Sequence, residues 1–344
     1  MGIVNQKIIQ AVIEKANRVC PDSLALIGIY GSVATADAHE KSDLDLLILI
    51  EDDAGWKLGT GFILDDRSVG YDIYCTNWSA LRYDAECHHA HLSKLMDSQI
   101  VYVNHPDAYG RLCALRAQAK QFLESEGRFQ RAKEALDKAK LAYANACLRE
   151  ELGQVRLEAC GVITYLLDAV MLYHGTYFKL GVKRTFEELA SLPLDGVFVQ
   201  TIQKAVISNE INGLCEALKQ LILYTENHIR PKRSLAEPSE ALSGTYEEMV
   251  SNWRNKVEEA AKKGNAYASF INMCSFQFML SEISAGVAIG SFPIMDEYNP
   301  DSLGENTAVF DKYLQKYEQV YLRAGISVRR FADVDAFVAD YLRQ

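Results

Sequence analysis

The sequence predicts an α+β protein: a small mixed-sheet domain over residues 1–106, followed by an all-helical bundle domain over 107–344. Three observations carry that prediction. Short apolar runs of strand length recur up to Val103, separated by Gly, Asp, Ser and Pro. From about Tyr109 onward the apolar residues recur at helical spacing instead. A chain of 344 residues also suits about two domains.

Taken in order, residues 3–19 place Ile8, Ile9, Val12, Ile13, Ala16 and Val19 on one helical stripe, and Pro21-Asp22 breaks the helix. Strands follow at 24–30 and 43–50. Glu51-Asp52-Asp53 reads as a solvated turn because it follows the apolar run. Further strands are expected near 61–64, at 69–75 and at 98–103, with a short helix from Trp78 to Tyr83. Trp78 is expected to be a buried aromatic.

Cys87-His88-His89-Ala90-His91 resembles a metal cluster, but no further ligands follow at zinc-site spacing. The segment is read as a solvated or amphipathic helix, on which His88 and His91 could share one face. Asp107 is a candidate N-cap. Helices are expected over 107–124, 128–151, 153–174, 209–228, 246–263, 265–289, 302–323 and 333–342. Thr185-x-x-Glu188 and Thr245-x-x-Glu248 read as capping boxes, and Gly325 as a helix stop. Arg230 to Gly244 reads as a linker.

The formal charge is -10, and it is uneven. Residues 1–115 carry 9 Lys and Arg against 16 Asp and Glu. A nucleic-acid binder needs a basic footprint, so that partner is not expected. An acidic first half suits divalent metals and a small or cationic acceptor. No apolar run approaches the roughly 20 residues of a membrane span. The first residues lack the charged start and apolar block of a signal peptide. The eight cysteines contain no C-x-x-C pair and read as reduced thiols, so a cytoplasmic location is expected.

The stretch that organises the chain is Ile29-Tyr30-Gly31-Ser32, followed after residues 33–42 by Asp43-Leu44-Asp45-Leu46. Side chains alternate along a strand, so Asp43 and Asp45 share one face and Leu44 and Leu46 the other. Two adjacent carboxylates repel unless a cation shares the site, and such a pair suits Mg²⁺ with substrate phosphates. Gly31 lets the backbone approach a ligand. Ser32 offers a hydroxyl and a helix N-terminal N–H to a phosphate. Val69-Gly70-Tyr71-Asp72-Ile73-Tyr74-Cys75 holds one further carboxylate, Asp72, on a strand. Asp65 and Asp66 lie in a turn beside Arg67 and Ser68.

Gly-Ser followed by Asp-x-Asp on a strand resembles the DNA polymerase β-like nucleotidyltransferase superfamily. The closer likeness is to its small bacterial antibiotic-type members with a C-terminal helical domain. The resemblance implies a third carboxylate on a later strand of the same sheet, for which Asp72 is the candidate. It also implies two Mg²⁺ ions held by Asp43, Asp45 and Asp72, with Gly31, Ser32 and the neighbouring Ser42 at the triphosphate. The run from Leu167 through Tyr177 to Lys183-Arg184 resembles a helix-plus-loop of that family's helical domain. It makes Lys183 and Arg184 candidates for triphosphate contacts and Tyr177 a candidate wall. Basic residues complementing a helix end are an equal reading.

The expected activity is Mg²⁺-dependent transfer of a nucleoside monophosphate from an NTP, ATP by family analogy. The acceptor would be a hydroxyl of a small molecule, aminoglycoside- or lincosamide-like or a metabolite, and pyrophosphate would leave. Glu158 and Asp168, carboxylates in an apolar helix, are minority candidates for the general base. The alternatives are nucleotidylation of a protein and a regulatory nucleotide binder without transfer chemistry. A homodimer is open.

Overall fold

The computed structural model describes residues 2–35, 37, 39, 42–229 and 242–343. Contacts gather the chain into two compact units, residues 1–231 and 232–344. The sheet and the helices up to residue 228 share the first unit. The switch from strands to helices at about residue 106 therefore falls inside it. Residues 230–241, most of the expected linker, lie outside the described residues.

The first unit opens with α1 (Ile3–Val19), β1 (Leu24–Ile29), a single turn α2 (Gly31–Ala34) and β2 (Leu46–Ile50). There follow a 3₁₀ turn (Asp53–Leu58), the hairpin β3 (Thr60–Leu64) and β4 (Val69–Ile73), and β5 (Cys75–Asn77). Next come α3 (Trp78–Ala85), α4 (Ser93–Met96) and β6 (Gln99–Val103). The sheet order is β5-β2-β1-β6. β1 runs antiparallel to β2 and β6, and β5 runs parallel to β2.

Every residue of β1 and β2 is buried, because both faces are covered. Leu44, Leu46, Ile48 and Ile50 pack with Ile8, Ile9 and Val12 of α1. Leu47 and Leu49 join the other core, with Leu81, Ala85 and Leu112. Burying each such Leu or Ile contributes roughly 2 kcal/mol. The same alternation sends Asp43 and Asp45 to the face away from α1.

Several expectations change. The run 69–75 is not one strand. β4 pairs only with β3, in a separate two-stranded sheet, and the chain leaves it at Tyr74 before β5 joins β2. Asp72 is therefore not on the sheet that adjoins Asp45. Asp43–Asp45 precede β2 as extended chain, since β1 ends at Ile29 and offers no further register partners. Residues 87–92 form turns instead of a helix, with Cys87 at φ 53°. Asp107 makes no side-chain cap, its carboxylate lying 3.6 Å from Arg111. Trp78 is half-buried with Arg111 over its ring.

The helical part of this unit comprises α5 (Ala108–Glu124), α6 (Gly127–Cys147), α7 (Leu152–Tyr173), α8 (Thr185–Leu189), α9 (Gly196–Val206) and α10 (Ile211–His228). α6 presents Ala132, Ala135, Ala139, Ala142 and Ala146 to the core, and these small side chains let α7 approach closely. α9 was not expected. Asp195 caps it by accepting the Val197 N–H at 2.9 Å. The Thr185 box does not form. The Thr185 hydroxyl donates to the Val182 carbonyl, and Glu188 accepts the N–H groups of Lys179 and Leu180.

The second unit has its own core, in which Phe276 and Phe310 stack at 4.0 Å beside Tyr313, Tyr317 and Tyr321. Its helices are Thr245–Met249, Asn255–Lys263 after a π turn, Ala266–Gly286, Leu303–Arg323 and Val334–Tyr341. Thr245 bonds the hydroxyls of Tyr317 and Tyr321 instead of forming a capping box. Gly325, at φ 72°, ends Leu303–Arg323 as expected. Among the described residues no helix is long and apolar enough to cross a membrane.

Asp168 and Glu158 also resolve. Glu158 pairs with Arg149 at 3.0 Å. Asp168 is 5% exposed and accepts the Ala90 N–H at 2.8 Å, with His91 at 3.9 Å. Its carboxylate fastens the 87–92 turns to α7 and is not free to act as a base. Burial raises its pKa, and the Ala90 bond acts the other way. Asp168→Leu is expected to destabilise the protein by about 1–3 kcal/mol by orphaning a buried N–H. Asp168→Asn, which keeps the acceptor oxygen, should lose less than half of that. Urea denaturation of the two variants checks the order.

Candidate functional site

The site is built where β1 ends. Gly31 turns the chain with φ 66°, a region other residues rarely adopt. A Cβ there would stand 2.0 Å from Asp45 Oδ2, so only glycine fits. The neighbours are tied to the same aspartate. The Tyr30 N–H donates to the Asp45 carbonyl at 3.1 Å, and the Ser32 N–H bonds the Asp45 carboxylate. The amide expected to meet a phosphate is thus turned onto Asp45.

Asp43 is exposed and Asp45 half-buried. Burial first, then the charge of Asp43, raises the Asp45 pKa, and the Ser32 N–H only partly opposes them. The Tyr30 hydroxyl feels the same field. Burial and then Asp45, Asp43, Asp84 and Asp72 push it up to about 12. All four carboxylates act on the same phenol.

Asp72 reaches this place from the β3–β4 hairpin, where it is paired with Gly61. The hairpin has two faces. Val69, Tyr71 and Ile73 are buried, while Gly70 and Asp72 face outward. An open hollow of about 650 Å³ is lined by Asp43 together with Gly61, Ile63, Gly70 and Asp72.

The loop after Ser32 is held by the helical part of the unit. The Asp37 N–H donates to the Ser32 carbonyl at 2.9 Å. Arg184 donates to both Asp37 oxygens at 3.0 and 2.8 Å, and Lys183 Nζ to the Asp37 carbonyl at 3.2 Å. The Arg184 bond, then that of Thr35, holds the Asp37 carboxyl below its usual range. Lys183 and Arg184 thus converge on the loop that carries Ser32, bonded to Asp37. The Ser42 hydroxyl accepts the His39 N–H at 2.9 Å. The Tyr177 hydroxyl donates to Asp97 at 2.9 Å, so Tyr177 is fastened to the turn after α4.

Three residues here escaped the sequence reading. Asp37 carried no signal. Tyr30 was signalled only by preceding Gly31. Asp84, 6% exposed on α3, lies 3.2 Å from His89 and 3.6 Å from Lys94 and reads in sequence as an ordinary helix charge.

Residues 7–84 match the family model described as a nucleotidyltransferase domain. The match falls on the segment that carries Gly31-Ser32 and Asp43-Asp45, and it supports the resemblance to the polymerase β-like nucleotidyltransferases, a class that transfers nucleoside monophosphates. A solved structure, that of a nucleotidyltransferase-like protein from Exiguobacterium sibiricum 255-15, shares 15% identity, covering 74% of this chain and 90% of that one, with a TM-score of 0.36. No curated protein sequence matches the chain.

The donor set can be tested against a divalent cation. Among the described residues no group of three or more His, Cys, Asp or Glu is arranged to hold a metal ion. The Asp43–Asp45 pair still fits Mg²⁺, which is usually held by one or two carboxylates together with substrate phosphates. A cation there would also relieve the repulsion that raises the Asp45 pKa.

Because that pKa is raised, the folded state binds more protons than the unfolded state above the ordinary value of 3.8, and stability falls as pH rises through that window. Asp45→Asn removes this loss while keeping an acceptor for the Ser32 N–H. Its Tm in chelator is expected to exceed wild type at about pH 7 and to converge with it toward about pH 4. Thermal scans across that range check it, and a Tm of the Asp45→Asn variant below wild type at neutral pH would count against the carboxylate crowding.

Proposed function

We propose that this protein transfers a nucleoside monophosphate from a nucleoside triphosphate to a hydroxyl of a small molecule. The observation that carries the reading is the pairing of Asp43 and Asp45 on extended chain against Gly31-Ser32, inside the nucleotidyltransferase segment. Asp43 and Asp45 would hold Mg²⁺ together with the triphosphate. Bound there, Mg²⁺ supplies charge neutralisation of the phosphates and activation of the attacking hydroxyl.

The chain's own groups do the rest. Gly31 leaves room for the triphosphate to approach the backbone. The Ser32 hydroxyl and, once released from Asp45, its N–H bind phosphate oxygens. Lys183 and Arg184 keep the 32–37 loop in place through Asp37 and add positive charge to that side. The acceptor oxygen forms a bond to the α-phosphorus, the bond from that phosphorus to the β-bridging oxygen breaks, and pyrophosphate leaves. Asp72, exposed and lining the same hollow as Asp43, is the carboxylate that receives the acceptor proton. ATP is the expected nucleotide by analogy with the family.

The test is mass spectrometry of the protein incubated with Mg²⁺, the four nucleoside triphosphates, aminoglycosides, lincosamides and a bacterial metabolite extract. The expected product is a small molecule heavier by one nucleoside monophosphate, absent under chelation. Intact nucleotide with no adduct on any small molecule would overturn the reading, and mass added to a protein would replace the acceptor class.

Asp43→Asn is expected to cut turnover by roughly a hundredfold or more with the circular dichroism unchanged. Arg184→Ala releases Asp37 and is expected to raise KM for the nucleotide about tenfold, with a smaller change in kcat. Steady-state kinetics of the two variants check both.

A further inference from the structure

The first unit holds a second cavity, of about 400 Å³, on its helical side. One face of α7 lines it with Arg156, Ala159, Cys160 and Ile163, at helical spacing. Val182 and His91 line it from other segments, His91 with its ring stacked on Phe178 at 5.1 Å. Among the described residues that line it there is no Asp or Glu. The permanent charge is the Arg156 guanidinium, which donates to the Ser208 carbonyl and Asn209 Oδ1 at 3.0 Å each.

This cavity is joined to the nucleotide loop by one short turn. Val182 lines the cavity, and the next two residues in the same 3₁₀ turn, Lys183 and Arg184, bond Asp37. Asp37 in turn bonds the Ser32 carbonyl. The turn is locked by the Thr185 hydroxyl on the Val182 carbonyl at 2.9 Å. A molecule against Val182 therefore abuts the turn whose next two residues hold the loop through Asp37.

We propose that this cavity is the acceptor pocket, and that the acceptor is a hydroxylated molecule with an apolar body and at most one positive charge. The acceptor role rests on the transferase reading above; the ligand class rests on the lining. Several ammonium groups entering such a pocket would lose hydration without meeting a carboxylate, and Arg156 would repel them. An apolar body gains by displacing water from Ala159, Ile163 and Val182. A volume of about 400 Å³ lies in the usual range for drug-sized ligands.

Cys160 supplies a readout that needs no turnover. It is an exposed free thiol on the cavity wall, and Cys113 and Cys147 are exposed thiols outside that lining. The full-length protein is alkylated with iodoacetamide in the presence of lincomycin, chloramphenicol or kanamycin, and the rate at each cysteine is read by peptide mass spectrometry. Lincomycin or chloramphenicol at ten times its Kd is expected to slow Cys160 about tenfold, leaving Cys113 and Cys147 unchanged, while kanamycin protects nothing. In transfer assays Cys160→Trp, which fills the cavity from an exposed position, is expected to raise acceptor KM about tenfold with nucleotide KM unchanged.

Protection without any nucleotidyl product would sink the transfer reading and uphold the ligand class. Protection by kanamycin alone, or by none of the three, overturns the proposal. So does acceptor turnover that Cys160→Trp leaves untouched.

Discussion

The contact between Gly31 and Asp45 constrains everything around it. The chain leaves β1 at a residue whose φ of 66° and absent Cβ let the Asp45 carboxylate sit against the backbone. Tyr30 and Ser32, on either side, donate their N–H groups to the same aspartate. Three consecutive residues are thereby tied to one aspartate, Tyr30 to its carbonyl and Gly31 and Ser32 to its carboxylate. The apolar cores on both faces of β1 and β2 hold the crowded carboxylates in place, since neither strand can shift without exposing Leu26, Leu47 or Ile48.

A second constraint comes from the helical side of the same unit. Arg184 and Lys183 reach Asp37 across nearly 150 residues of sequence, and both ring the loop that carries Ser32. Cations in that position serve two ends. They neutralise Asp37, whose carboxylate would otherwise add to an already acidic corner, and they fasten the chain beyond Ser32. The equal reading made from sequence, basic residues complementing a helix end, is the less apt one, because their bonds go to Asp37 and Glu187 and not to helix carbonyls.

What was legible in the sequence follows its physics. The alternation of Asp43 and Asp45 with Leu44 and Leu46 marked the two faces, and with them the side to which the aspartates point. Glycine before a serine marked the turn. Legibility failed where the outcome depends on distant partners. Thr185 and Thr245 have the spacing of capping boxes, but nearby carbonyls and tyrosine hydroxyls capture their side chains. The histidine run lacked helical structure because Asp84 and Asp168, from α3 and α7, hold its ring and backbone nitrogens. The 69–75 run hid a change of partner at Tyr74, since β propensity does not say which strand is joined.

Asp45, half-buried, and Asp168, buried, show how environment separates a structural carboxylate from a functional one. Burial raises the pKa of both Asp45 and Asp168. For Asp168 the remaining influences are favourable to charge: the Ala90 N–H, then His91, His89 and Lys138. Asp45 has the Ser32 N–H but also faces Asp43, a like charge. An arrangement that only needed to stabilise the fold would place a donor or a cation where Asp43 stands, as it does around Asp168. Keeping a second carboxylate there leaves negative charge uncompensated by the chain, and a cation brought in with a triphosphate would complete it. The same logic separates the two hollows. The one beside Asp43 and Asp72 calls for positive charge, whereas the α7 cavity, with Arg156 and no acid among its described lining, calls for an apolar body.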